Sequence, residues 1–218
     1  YACMESLGIV RRVNPATGDY ENWFDVYEAI INATNGTHQM DNLGTSPHSG
    51  LRSVAFHDDF ENNGLIYTSH LELHAPNATF LGDNLDDAYA DSVVAEWRVV
   101  DDAVDSMSYR QLFRIAMPSY PDDDVNYENP IKQIAMHEGH LYVCMGDGAV
   151  EDVDNNGGRG NDYFGKIFRI APDGVGQFDY GVPDDNPFVN DDSYPDEVYA
   201  LGFRNPHTLA FSAAGDLY

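Results

Sequence analysis

The sequence predicts an all-β protein of the propeller type. Two observations carry that expectation: a β-hairpin pattern recurs three times at a near-constant step, and helical periodicity is almost absent. The first copy runs Val54-Ala55-Phe56-His57, through Asn63-Gly64, to Leu65-Ile66-Tyr67. The second runs Ile134-Ala135-Met136-His137, through Glu138-Gly139, to Leu141-Tyr142-Val143. The third runs Leu209-Ala210-Phe211-Ser212, through Ala214-Gly215, to Leu217-Tyr218. Each is a short alternating strand, a glycine turn and a second strand bearing an aromatic ring, which is the signature of a hairpin. The closing tyrosines, Tyr67, Tyr142 and Tyr218, stand 75 and 76 residues apart. Such regularity signals a repeat architecture.

The remaining elements fall around these hairpins. An N-terminal strand pair is expected over residues 7–13 and 22–26, and residues 23–32 are the one helical candidate. Further strands are expected over 93–100 and 111–117 after the first hairpin, and over 164–171 and 198–202 after the second. About four strands per repeat is the content of a propeller blade, which usually takes roughly 40–50 residues. The surplus length goes into long loops at 76–92, 118–129 and 151–162, and loops of that length are usually functional. Residues 1–218 therefore read as a single partial propeller domain of about three blades, roughly the first half of a ring. Because an open half-ring leaves strand edges exposed, the natural molecule is expected to continue beyond Tyr218.

Composition excludes several functions. Asp and Glu number 37 against 11 Lys and Arg, giving a net charge of −26. No basic surface is available to neutralise phosphates, so nucleic-acid binding is excluded, and docking on anionic lipid is disfavoured by the same argument. No stretch approaches the roughly 20 apolar residues needed to span a bilayer, so membrane insertion is not expected. Most of the acids are Asp, while lysine occurs only at Lys132 and Lys166. That excess serves either hydration in salty water or carboxylate ligation of divalent cations. The sequons at Asn32, Asn35 and Asn77 are compatible with a secreted protein. Cys3 and Cys144 permit one disulfide without requiring it.

Two clusters have metal-ligand chemistry. Asp152-Val153-Asp154-Asn155-Asn156-Gly157 matches the opening of a calcium loop, with alternating oxygen ligands at Asp152, Asp154 and Asn156 before a turn glycine. Tyr163 stands where such a loop would place its bidentate Glu, and a solvated acidic loop is the alternative. His70, Glu72 and His74 alternate along one strand and share a face, where a transition metal would need a further ligand from elsewhere.

Several segments, in order, carry a family resemblance. They are Gly50-Leu51-Arg52-Ser53-Val54-Ala55-Phe56-His57-Asp58-Asp59-Phe60, Leu141-Tyr142-Val143-Cys144-Met145-Gly146-Asp147-Gly148 and Phe164-Gly165-Lys166-Ile167-Phe168-Arg169-Ile170. Tyr180-Gly181-Val182-Pro183-Asp184-Asp185-Asn186-Pro187-Phe188-Val189 and Tyr199-Ala200-Leu201-Gly202-Phe203-Arg204-Asn205-Pro206 continue the series. Together they resemble the glucose/sorbosone dehydrogenase family, which includes soluble quinoprotein aldose dehydrogenases and hedgehog-interacting-protein-like proteins.

The resemblance implies a six-bladed propeller with pyrroloquinoline quinone (PQQ) over its mouth, a sugar substrate, and a secreted or periplasmic location. In such enzymes a histidine takes the proton of the anomeric hydroxyl as hydride leaves for the quinone. An aspartate orients that histidine, and an arginine polarises the quinone. The resemblance places the aspartate on Asp147 and the arginine, as catalytic and cofactor-binding residue, on Arg204. The histidine does not carry over: the family's His-Asn-Gly-Gly is replaced here by Asn129-Pro130-Ile131-Lys132. An amide is not basic near neutral pH, and His48 is the candidate substitute base from a neighbouring blade. The alternative function is a non-catalytic propeller that binds a carbohydrate or a protein partner.

Overall fold

The computed structural model describes residues 1–41, 48–75, 88–117, 128–148, 163–173 and 180–218. Among them, three antiparallel sheets follow one another along the chain. Strands β1 (Ala2–Met4), β2 (Ile9–Val13) and β3 (Tyr20–Asp25) form the first, in the order β1-β2-β3. The second holds β4 (Leu51–Phe56), β5 (Leu65–Leu73), β6 (Ala90–Val100) and β7 (Ala103–Ala116), in the order β4-β5-β6-β7. The third holds β8 (Ile131–His137), β9 (His140–Met145), β10 (Lys166–Ile170) and β11 (Val198–Leu201), in the order β8-β9-β10-β11. Both four-stranded sheets are simple meanders, the content of one blade each.

Turn chemistry closes the hairpins. Asp101 and Asp102 both adopt positive φ between β6 and β7, as do Glu138 and Gly139 between β8 and β9, and two-residue turns of that hand match the twist of the flanking strands. The link from β4 to β5 is longer and contains a single helical turn, α2 (Phe60–Asn63), ending at Gly64 with φ 66°. The helix α1 (Val26–Thr34) starts where the Asp25 carboxylate accepts a hydrogen bond from Glu28 N at 3.0 Å, so the expected helical segment begins three residues later than its periodicity suggested. The third expected hairpin is short: Phe211 bridges Leu217, and Ala210 and Tyr218 exchange backbone hydrogen bonds of 2.9 and 2.8 Å.

Strand alternation decides where each core lies. Tyr67 and Leu71 of β5 pack with Leu141 and Val143 of β9, joined by Val94, Phe113, Ile134 and Phe168, in one cluster between the two four-stranded sheets. Ile66 faces the opposite way, into a second cluster with Val10, Phe24, Ile30, Leu51 and Trp97 that carries the N-terminal sheet and α1. Tyr142 and Cys144 likewise face away from Val143, toward Ile167, Leu209, Phe211 and Leu217. Each four-stranded sheet therefore contributes to two cores.

The segment holding Asp152, Asp154 and Asn156, and the sequon at Asn77, lie outside the described residues. Cys3 and Cys144 are both free thiols, and burial pushes the Cys144 thiol up to about 12. No helix among the described residues is long and apolar enough to cross a membrane.

The second sheet buries a polar network that occupies the expected His70–Glu72–His74 face. His70 Nε2 meets Glu72 Oε1 at 2.9 Å, while Arg114 donates to the other Glu72 oxygen and, at 2.8 Å, to Asp91. His74 Nδ1 turns to Asp91 at 2.6 Å, and His38 Nδ1 lies 3.2 Å from Glu72 Oε2. A guanidinium thus sits where a metal would have gone. Among the described residues no group of three or more His, Cys, Asp or Glu is arranged to hold a metal ion.

Burial opposes ionisation of Glu72, but hydrogen bonds from His38 and His70 and the charge of Arg114 outweigh it and hold the carboxyl well below the usual range. Its contribution to stability is full above the ordinary value of 4.5 and is lost as pH falls further. Replacing Arg114 by Met strands two buried carboxylates and is expected to cost about 3–5 kcal/mol in urea denaturation at neutral pH. The gap between wild type and variant should narrow as the pH is lowered, because a protonated Glu72 no longer needs the cation.

Candidate functional site

Four segments converge at one end of the two four-stranded sheets: the approach to β4, the approach to β8, the exit of β9, and residues 202–206. Main-chain hydrogen bonds hold the last two together. Gly165 N donates to Gly146 O at 2.8 Å, and Gly202 N and Phe203 N both donate to Gly165 O, at 3.1 and 3.0 Å. Asp147 N in turn donates to Arg204 O at 2.8 Å. Gly165 and Gly202 adopt positive φ, at 65° and 96°, which is why the clasp is built from glycine.

Asp147 is buried in this clasp, and its Oδ1 accepts a hydrogen bond of 2.7 Å from Asn129 Nδ2. Asn129 is also buried, and it takes a left-handed backbone conformation, φ 46°, that asparagine tolerates better than most residues. Gly146 permits the pairing: a Cβ there would press on the Asn129 carbonyl oxygen and lie 2.7 Å from the Asn129 Cβ. Arg204 is exposed, and its backbone rather than its side chain makes the contact with Asp147.

His48 enters from the neighbouring sheet. Gly50, at φ 81°, turns the chain into β4, with its N donating to Asp41 O at 2.7 Å and its O accepting from Leu71 N at 3.0 Å. His48 Nδ1 lies 2.8 Å from Lys132 Nζ, and Lys132 is 5% exposed. Burial, then the charges of Lys132, Arg52 and His207, push the His48 imidazole down to about 4. The ring is therefore neutral at physiological pH. With Lys132 Nζ donating to Nδ1, the ring hydrogen sits on Nε2.

The structure thus groups Asp147 with Asn129 and the Arg204 backbone, and His48 with Lys132. Lys132 was not singled out from sequence, although one signal was present: a chain with two lysines buries both of them, at 5% and 0% exposure. Beside this pair, the first residues of β4 and β8, the stretch 207–208, and Tyr1 and Cys3 line an open recess.

The pattern of the glucose/sorbosone dehydrogenase family matches residues 29–218. The chain belongs to that family. Quinoprotein glucose dehydrogenase B of Acinetobacter calcoaceticus is 26% identical over 228 residues, covering 97% of this chain and 41% of the relative. Human hedgehog-interacting protein is 24% identical over 213 residues, covering 95% of this chain and 27% of the relative. The PQQ-bound form of aldose sugar dehydrogenase from Streptomyces coelicolor aligns with a TM-score of 0.60 at 17% identity, covering 98% of this chain and 50% of that one. The fold is accordingly a β-propeller, and the chain spans half or less of the length of these proteins.

Gly146→Ala should force Asn129 away from Asp147 and cost about 1–3 kcal/mol of stability, measured by denaturant unfolding. The His48 ring should titrate near pH 4 by NMR, and Lys132→Met should move that titration upward toward the ordinary histidine value of 6.5.

Proposed function

We propose that the whole protein is a quinone-dependent sugar oxidoreductase that takes an aldose to its lactone, and that this chain supplies one wall of its site. The observation that carries the reading is the buried Asp147 clasped to the Arg204 backbone, in a chain whose family membership covers residues 29–218. PQQ is a tricarboxylate with an ortho-quinone. Arg204, exposed and cationic, fits such an anion and is the residue that would hold it. When bound, PQQ supplies a two-electron acceptor for the hydride of the anomeric carbon. Asp147 fixes the Asn129 amide, which orients a sugar oxygen by hydrogen bonding but takes no proton from it. His48 donates through Nε2, so its part is to position the substrate. The proton of the anomeric hydroxyl leaves to a base contributed by the rest of the protein. Calcium on Asp152, Asp154 and Asn156, and a secreted or periplasmic location supported by exposed Asn32 and Asn35, belong to the same proposal.

A second reading is favoured by one observation: the amide of Asn129 occupies the Asp147 carboxylate that would otherwise orient a base. On that reading the propeller binds a carbohydrate or a protein partner without turnover, and the likeness to hedgehog-interacting protein supports it.

One experiment separates the two. The full-length protein, supplied with PQQ and calcium, should reduce an artificial electron acceptor when an aldose is added, and Asn129→His should raise the rate by restoring an imidazole beside Asp147. No turnover by either form, together with an unchanged absorption spectrum of added PQQ, would leave the binding module.

A further inference from the structure

Two sequons meet at the end of α1, and the fold treats them differently. Asn32-Ala33-Thr34 forms the last turn of the helix, and Asn35-Gly36-Thr37 follows it directly. Thr34 is half-buried, and its hydroxyl is engaged in both senses. It donates to Ile30 O at 2.7 Å and accepts from His38 N at 3.2 Å. Those bonds tie the helix end to the segment whose Gln39 O accepts from Leu73 N of β5 at 2.9 Å. The Asn32 triplet is therefore committed to the interior through its threonine.

The second triplet is open along its whole length, with Asn35, Gly36 and Thr37 all exposed. Asn35 caps the helix in a left-handed conformation, φ 51°, and its N–H donates to Ile31 O. Gly36, at φ 75°, donates to the same oxygen at 2.9 Å. Both bonds use main-chain groups, and the Asn35 side-chain amide has no hydrogen-bond partner among the described residues. Thr37 Oγ1 donates to Thr34 O at 2.8 Å at the surface, which leaves its oxygen able to accept. Helix α1 turns Val26, Ala29 and Ile30 toward the core of Trp97 and packs on β7. That strand is one edge of its sheet, whereas β4, the other edge, lies beside β8 around the axis. The turn thus stands on the outer rim, remote from the axial side.

We propose that Asn35 is an acceptor for N-linked glycan and that Asn32, one turn earlier, is not. Asn35 Nδ2 bonds to the anomeric carbon of an oligosaccharide carried on a lipid diphosphate. The bond from that carbon to the diphosphate breaks, the lipid diphosphate leaves with the electron pair, and Nδ2 gives up one proton. A bulky hydrophilic chain is compatible only with a surface position, and the turn at 35–37 supplies one without displacing any side-chain contact of Asn35. The inference rests on the secreted location proposed above and is independent of turnover.

The test is secretion of the full-length protein from cultured animal cells behind a supplied leader, followed by enzymatic glycan release in heavy-oxygen water. Release converts each glycosylated Asn to a labelled Asp, and peptide mass spectrometry reads the positions separately. Asn35 should carry the label and Asn32 should not. Asn35→Asp and Thr37→Ala should each abolish the label in this segment, while Asn32→Gln should leave it. Aspartate also tolerates the left-handed backbone, so the melting temperature of Asn35→Asp should match that of the unglycosylated wild type, which separates loss of the acceptor from a folding defect. Label on Asn32 at or above the level on Asn35 would overturn the assignment. So would an unlabelled Asn35 in cells that label a control glycoprotein, or loss of the label in Asn32→Gln. Retention inside the cells when the protein is expressed from its own reading frame, with Asn35 still labelled behind the supplied leader, would sink the location and leave the acceptor standing.

Discussion

The structure depends on every four-stranded sheet being buried on both faces. Tyr67 and Ile66 are neighbours on β5, yet one lies in the core shared with the third sheet and the other in the core shared with the N-terminal sheet and α1. Val143 and Cys144 divide in the same way on β9. A sheet so placed needs cover on both faces, because either face left open would expose a continuous apolar wall. Stacking also brings the first strands of successive sheets side by side around one axis. That is what assembles His48, Lys132, Asn129 and Asp147 from segments far apart in the chain.

Much of the fold was legible because hairpins write themselves locally. Alternating strands joined by Glu138-Gly139 give both period and register, and β4, β6 and β8 to β11 fall at or close to the expected segments, whereas β5 and β7 extend well beyond theirs, over Leu65–Leu73 and Ala103–Ala116. Elements without a local signal were not legible. The short β1 gains its place by pairing with β2, and α2 is a single turn between two strands. The third repeat kept the pattern but only a minimal bridge of pairing.

The site divides along the same line. Asp147 was marked by its glycine-flanked motif, and its partner Asn129 by a motif in which one residue type replaces another. Lys132 and His48 are 84 residues apart, and no spacing rule connects them. The buried network likewise joins Glu72 to Arg114, 42 residues on, and Arg114 to His38, 76 residues back. Alternation on β5 put His70 and Glu72 on one face, but it could not show that a guanidinium rather than a metal would meet them. The scarcity of lysine was the available clue. Both lysines are buried, Lys132 and Lys166, as are Arg114 and Arg169, whereas Arg98 and Arg204 are exposed.

The clasp linking Gly146, Gly165, Gly202 and Arg204 is made of backbone groups. Such a frame does not register which side chains hang from it, apart from the small ones it requires. A side chain at the rim could be exchanged for another while the opening kept its outline. A scaffold of this kind lets lineages gain or shed chemistry at the rim without having to relearn how to fold.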